Sequence, residues 1–271
     1  MKLLYGKPVA EKIYQDILNK PNLVQKNLAI ILIGENSASE IYVKNKKIAL
    51  KNLGGEAILF RLEKEITQIE VEYLIERLNQ DESIHGIILQ IPIPEHLNKN
   101  KLLSLIAANK DVDGLNIYNL GKLVQNDYNE IYLPATPLAV VNILSYYNID
   151  ILGKNVIIIN NSLLFGKPLA IMLSNKLATV TICNHETKHV LDFTKQADII
   201  ITAVGQAKIW NKNYIKNNQT IIDVGISKYT NGKISGDFDY ESIQDLDINY
   251  TPVPGGVGPV TIACLLNNLY L

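Results

Sequence analysis

Cysteine is scarce in this chain: Cys183 and Cys264 are the only two among 271 residues. Two thiols cannot build a disulfide framework, so a reducing compartment is expected. Neither sign of charge is in excess, since 26 Lys plus Arg face 27 Asp plus Glu for a net charge of -1. The positive surface through which proteins hold nucleic-acid phosphates is therefore missing. No uninterrupted apolar run approaches the roughly 20 residues that span a bilayer. The first eight residues, MKLLYGKP, break off far short of a signal-peptide core. A cytosolic protein without nucleic-acid or membrane partners is expected. Disorder is excluded by what is present, because 47% of the residues are hydrophobic and only 20% charged. At about 150 residues per domain, the length fits two domains or one large α/β unit.

The first half alternates short apolar runs with amphipathic segments. Spacing predicts a helix over 7–18, a buried strand over 28–33 and a helix from Ser37 to Leu53, started by a Ser37-x-x-Glu40 capping box and stopped by Gly54-Gly55. A strand over 57–62, a helix over 68–78 and a strand over 86–89 follow, and Pro92 and Pro94 force an extended loop after the last of these. Such alternation implies a parallel sheet covered by helices. A second unit is expected to start at Thr136-Pro137, as N-cap and first helical residue. Strands over 155–159, 179–183, 198–204 and 220–224, with a helix over 167–177, read as a doubly wound nucleotide-binding sheet. A last helix is expected over 259–269.

Several residues could carry chemistry. Tyr42 and Lys46 lie four apart and share one helix face, although alone they also fit a half-buried packing residue beside a solvated lysine. Gln90 ends the strand 86–89, where ligands of open α/β sheets bind. Lys110-Asp111-Val112-Asp113-Gly114 places two carboxylates in a tight turn, which a plain Asx turn would also explain. Ser162 to Pro168 joins a strand to a helix whose N-terminus can receive a phosphate. Thr251-Pro252-Val253-Pro254-Gly255-Gly256-Val257-Gly258-Pro259 holds three glycines and three prolines in nine residues, geometry suited to close backbone approach to a ligand. Cys183, His185 and His189 have no fourth ligand of suitable spacing, so no metal is expected. His85 and His96 read as surface residues.

These segments together resemble the methylenetetrahydrofolate dehydrogenase/cyclohydrolase family. SEIYVKNK (39–46) is similar to its S-x-x-Y-V-x-x-K signature and GIILQIPIP (86–94) to its G-x-x-V-Q-L-P-L-P segment. KDVDG (110–114) and TPVPGGVGP (251–259) match two further signatures without a break, and IDVGI (222–226) with Gly236-Asp237 looks like two more. The resemblance implies an α/β protein of two domains: a folate-binding catalytic domain over 1–135 plus 255–271, and a Rossmann-like NAD(P)-binding domain over 136–254, with the C-terminal helix returning to the first. It implies a folate site between them, with Lys46 as the catalytic lysine and Gln90 hydrogen-bonded near it. Tyr42 would stack on the folate ring, Asp113 would hold the pterin's polar edge, and Gly256 and Pro259 would line the same site. The implied activities are oxidation of 5,10-methylenetetrahydrofolate with NADP and hydrolysis of the methenyl product to 10-formyltetrahydrofolate, in a cytoplasmic homodimer. The alternatives are a cyclohydrolase with weak or lost dehydrogenase activity and a non-catalytic folate or nucleotide sensor.

By the same resemblance, the cofactor would be held by Asn160, Asn161, Ser162, Gly166, Lys167, Pro168, His185, Gly205 and Ile226. Here the chain departs from the family pattern. Asn160-Asn161-Ser162 stands for Gly-Arg-Ser, Ala135-Thr136-Pro137 for Cys-Thr-Pro, Cys183-Asn184-His185 for Cys-His-Ser, and Gly205-Gln206-Ala207 for Gly-x-Pro. The family's partners of the NADP 2'-phosphate are absent at Asn161 and His185, which leaves NAD, or weakened NADP binding, as the expectation from local chemistry.

Overall fold

The computed structural model describes every residue except 22, 130 and 229–233, together with all side chains there but those of residues 37, 38 and 228. The chain divides into two units, one of Lys12–Ala135 with Ile262–Leu271, and another of Met1–Glu11 with Thr136–Thr261.

Strand β1 (Lys2–Leu3) and helix α1 (Gly6–Leu18) open the chain. The first unit is then built from β2 (Asn27–Ile33), α2 (Ser37–Asn52), β3 (Glu56–Leu62), α3 (Gln68–Gln80), β4 (Gly86–Leu89), α4 (Lys99–Leu105) and α5 (Ile117–Val124). Its sheet is parallel, in the order β3-β2-β4, with Leu28 in register with both Ala57 and Gly86. Central strand β2 is buried from Leu28 to Ile33, as a strand covered on both faces must be. Helix α2 starts where expected, but its N-terminus is held by Asn36, whose side chain accepts from Ser39 N at 3.0 Å. Glu40 instead pairs with Arg61 of β3, and the side chain of Ser37 lies outside the described residues. A capping box is present at α3, where Thr67 and Glu70 exchange bonds. His85 is not an idle surface residue: its Nδ1 accepts from Asn27 N at 3.0 Å and its backbone N–H donates to Asn27 O, which pins the entry of β4 beside β2.

The second unit contains α6 (Ala135–Tyr146), β5 (Asn155–Ile159), α7 (Gly166–Asn175), β6 (Thr179–Cys183), α8 (Val190–Gln196), β7 (Ile199–Thr202), β8 (Thr220–Asp223), β9 (Ser227–Lys228), β10 (Ile234–Ser235), α9 (Tyr240–Ile243), β11 (Asn249–Tyr250) and the start of α10 (Val257–Leu269). Helix α6 begins at Ala135, so Thr136 lies inside its first turn rather than capping it. The six-stranded sheet runs β1-β11-β8-β7-β5-β6, all parallel, while β9 and β10 form a separate antiparallel pair. The chain order reverses at β5, which has β6 on one side and β7 on the other. Ligand crevices of doubly wound sheets open at such a point. The sheet's edge strands are β1 and β6, and Leu3 of β1 registers with Tyr250. By its contacts Met1–Glu11 groups with the second unit, a pairing that two residues of strand carry too little periodicity to show in sequence.

Candidate active site and dinucleotide loops

Four residues from three segments of the first unit converge by chemistry. Lys46 lies on α2 and is only 6% exposed, and its Nζ donates to Gln90 Oε1 at 2.9 Å. Gln90 follows β4 directly, and its Nε2 donates to the carbonyl of Ile91 at 2.9 Å. With the amide end committed, the oxygen end must face the lysine. Burial pulls the Lys46 ammonium below the usual lysine range, with the nearby Asp113 carboxylate opposing the fall. Burial likewise pushes Asp113 up against the pull of Lys46. Tyr42, one turn before Lys46, is half-buried and its phenol is raised by desolvation. Ser39, at the first turn of α2, approaches the Ile91 carbonyl at 3.5 Å. Burial favours the neutral form of the lysine, which is the form that can accept a proton from a reacting group, while the carboxylate favours the charged form.

The turn carrying Asp113 is braced from three sides. Gly114 has φ +71° and a side chain there would meet the Leu133 carbonyl carbon at 2.4 Å, so only glycine fits. Asn268, near the end of α10, donates to the carbonyls of Val112 and Leu133 at 2.9 and 2.8 Å. Asp111 is 1% exposed and accepts from Asn116 N at 2.7 Å and Asn119 Nδ2 at 2.9 Å. Burial pushes its carboxyl up to about 7, against the opposing hydrogen bonds. Sequence reasoning singled out Asp113 but missed Asn116, Asn119 and Asn268. Asparagines at helix edges look like ordinary capping residues until their carbonyl partners are known.

In the second unit, the turn after β5 is organised by Asn160. Its Oδ1 accepts from Ser162 N and Oγ, both at 2.8 Å, and from Gly166 N at 3.1 Å. Its Nδ2 donates to Ala203 O at 2.7 Å, which ties the end of β5 to the end of β7. Asn161 and Lys167 are exposed, whereas Gly166 and Pro168 are buried in the first turn of α7. His185 is exposed and pairs with Glu186 at 3.4 Å. Gly205, at φ +75°, is exposed with open space where a side chain would lie, and Ile226 is exposed after β8. A ten-residue helix with its N-terminus beside Ser162 and Lys167, together with open backbone at Gly205, fits a dinucleotide's phosphates and ribose. Gly256 and Pro259 belong to this second unit, at the start of α10; the structure does not bring them together with Lys46 in one unit.

Comparisons with known proteins bear on both units. Residues 4–113 match the model of the tetrahydrofolate dehydrogenase/cyclohydrolase catalytic domain, and residues 134–271 match that family's NAD(P)-binding domain. The chain is 44% identical over 279 aligned residues to the bifunctional protein FolD of Mycoplasma mycoides, with 100% of this chain and 96% of that one covered. The crystal structure of the bifunctional methylenetetrahydrofolate dehydrogenase/cyclohydrolase FolD of Campylobacter jejuni is similar at a TM-score of 0.94 and 41% identity, covering 100% of this chain and 97% of that one. The Trypanosoma brucei enzyme, solved with NADP and an inhibitor, is similar at a TM-score of 0.92 and 31% identity, covering 98% and 95%.

Proposed function

The chain belongs to the tetrahydrofolate dehydrogenase/cyclohydrolase family, and from that premise we propose which of its residues carry the two reactions. The protein oxidises 5,10-methylenetetrahydrofolate to the 5,10-methenyl form with NADP, and hydrolyses the methenyl form to 10-formyltetrahydrofolate. NADP, when bound, supplies the hydride acceptor. Ser162, Gly166, Lys167 and Pro168 at the start of α7, with Asn160, Asn161, His185, Gly205 and Ile226, are the residues that would hold it.

Lys46 carries the hydrolysis. The cationic methenyl carbon needs a water with one proton removed, and an amine lowered by burial accepts that proton. The resulting ammonium then returns a proton to the ring nitrogen as its bond to the one-carbon unit breaks, while the hydroxyl left on that carbon releases its proton to solvent as the formyl C=O forms. Gln90 can only accept at Oε1, so it commits one N–H of Lys46 and turns the remaining face of the nitrogen toward substrate. Asp113 keeps the protonated state within reach by its charge and accepts the donors of the pterin edge in a bidentate manner. Tyr42 offers its ring to the folate, and Gly256 and Pro259 offer backbone that a ligand can approach closely.

The buried Lys46–Gln90 bond at 2.9 Å is the observation that carries this assignment. Lys46→Met keeps the aliphatic stem and removes the amine. Methenyltetrahydrofolate hydrolysis, followed by its loss of absorbance, should disappear while folate binding by calorimetry persists. Near-normal turnover would sink the assignment. We further read the enzyme as a cytoplasmic homodimer that acts on tetrahydrofolate derivatives without nucleic-acid or membrane partners. The balanced charge offers no excess of positive groups for nucleic-acid phosphates. Among the described residues no helix is long and apolar enough to cross a membrane. Light scattering tests the dimer.

A further inference from the structure

A buried carboxylate that the proposed mechanism does not use sits behind the loop at the end of β7. Asp237 is 0% exposed. Its Oδ2 accepts from Thr202 Oγ1 at 2.8 Å and Val204 N at 2.7 Å, and its Oδ1 accepts from Gly205 N at 2.9 Å and Gln206 N at 3.1 Å. Three successive backbone amides thus converge on one carboxylate. Such a concavity of amides is a ready anion site, and here the protein's own carboxylate fills it. Thr202 is fixed in turn, because its hydroxyl oxygen accepts from Trp210 Nε1 at 3.1 Å.

A second buried carboxylate holds the first in place. Asp223 accepts from Asp237 N at 3.0 Å, Phe238 N at 2.9 Å, Gly225 N at 3.1 Å and Tyr250 Oη at 3.2 Å. The glycines beside the pair are dictated by it. A Cβ at position 225 would lie 2.0 Å from Asp237 Oδ1, and one at position 236 would lie 2.2 Å from Asp223 Oδ2. Thr202, Asp223, Gly225 and Gly236 are therefore set aside to place one carboxylate behind one loop. That loop, Val204 to Gln206, is exposed on its other side. It leaves the strand beside β5, where the sheet order reverses and the dinucleotide crevice of such sheets opens.

We propose that Asp237 is a positioning residue for the dinucleotide. By taking the inward-facing amides of Val204, Gly205 and Gln206, it fixes the outer face of the loop against which the cofactor lies and closes those amides to phosphate. The phosphates are thereby directed to the turn after β5. This rests on NADP binding in the second unit, as read above.

Asp237→Asn is the discriminating variant. An amide group cannot satisfy both pairs of donors, since its NH2 would face either Gly205 N and Gln206 N or Val204 N and the committed Thr202. Calorimetry of NADP on the folate-free enzyme should show Kd raised by about tenfold or more, the equivalent of one lost charge-assisted bond. The KM for NADP should rise in step, while methenyltetrahydrofolate hydrolysis without cofactor stays within about twofold, a margin well under 1 kcal/mol. An unchanged Kd overturns the proposal. So does a parallel loss of both activities with melting temperature, which would make Asp237 a general structural anchor. If Asp237→Asn does not fold, Thr202→Val decides, because it removes one donor and leaves three. A rise of about threefold in Kd, on the order of 0.6 kcal/mol, supports the proposal and no change overturns it. Failure of the wild-type enzyme to bind NADP would instead overturn the reading on which the proposal rests.

Discussion

Gln90 holds Lys46 by its oxygen end, because its nitrogen end is committed to the Ile91 carbonyl one residue on. The pair joins helix α2 to the end of strand β4, 44 residues apart in sequence. Any change at Gln90 therefore acts on the lysine's proton affinity as well as on its place.

Gln90→Glu tests that coupling. A carboxylate beside the amine stabilises the ammonium, so the lysine pKa rises. Hydrolysis at neutral pH should fall by about tenfold for each pKa unit gained. The pH–rate profile should move to the alkaline side, with the rate recovered at high pH. A profile that keeps its wild-type position would remove Lys46 from the role of proton acceptor.

Asp113 should matter chiefly for binding. Asp113→Ala removes a charge-assisted partner of the pterin, with an expected loss of about 1.5–3 kcal/mol in folate affinity. It also removes the charge that opposes the lowering of Lys46, so the remaining activity should peak at lower pH. Unchanged calorimetric affinity for a folate analogue would return Asp113 to the part of a turn-former.

Asp111 makes stability depend on pH. Its carboxyl titrates at about 7 in the fold, raised from 3.8 by burial. Between those values the folded chain keeps a proton that the unfolded chain has released, so this group's contribution falls as pH rises through the window and is lost above it. Asp111→Asn cannot titrate. The stability of the wild type relative to this variant should drop by about 2 kcal/mol between pH 5 and pH 7, measured by urea unfolding. A difference constant over that range would show that Asp111 is charged throughout.

Cofactor choice can be shifted at Asn161, which is exposed just after β5 and carries no charge. Asn161→Arg should raise the ratio of kcat/KM for NADP over NAD by about tenfold, the worth of one charge-assisted contact to a 2'-phosphate. An unaltered ratio would place the 2'-phosphate away from this residue.

Periodicity and punctuation in the sequence determined the long elements. The apolar run of β2, the Tyr42/Lys46 spacing on α2 and the strand–turn–helix at β5 and α7 all follow from local chain chemistry, because strand and helix periods are written in neighbouring residues. Lys46, Gln90, Asp113 and Ser162 stand within contiguous motifs, and the resemblance of those motifs to a family, not their periodicity, singles them out. The tertiary structure alone decided what joins residues far apart. That β1 completes a sheet with β11, some 247 positions on, leaves no trace in two-residue strands. That Asp237 gathers the amides of Val204, Gly205 and Gln206, that Asn160 bridges two strand ends, and that Asn268 braces the Asp113 turn are likewise invisible in sequence. A buried polar group must find its partners wherever the fold brings them, and only the packed chain shows where that is.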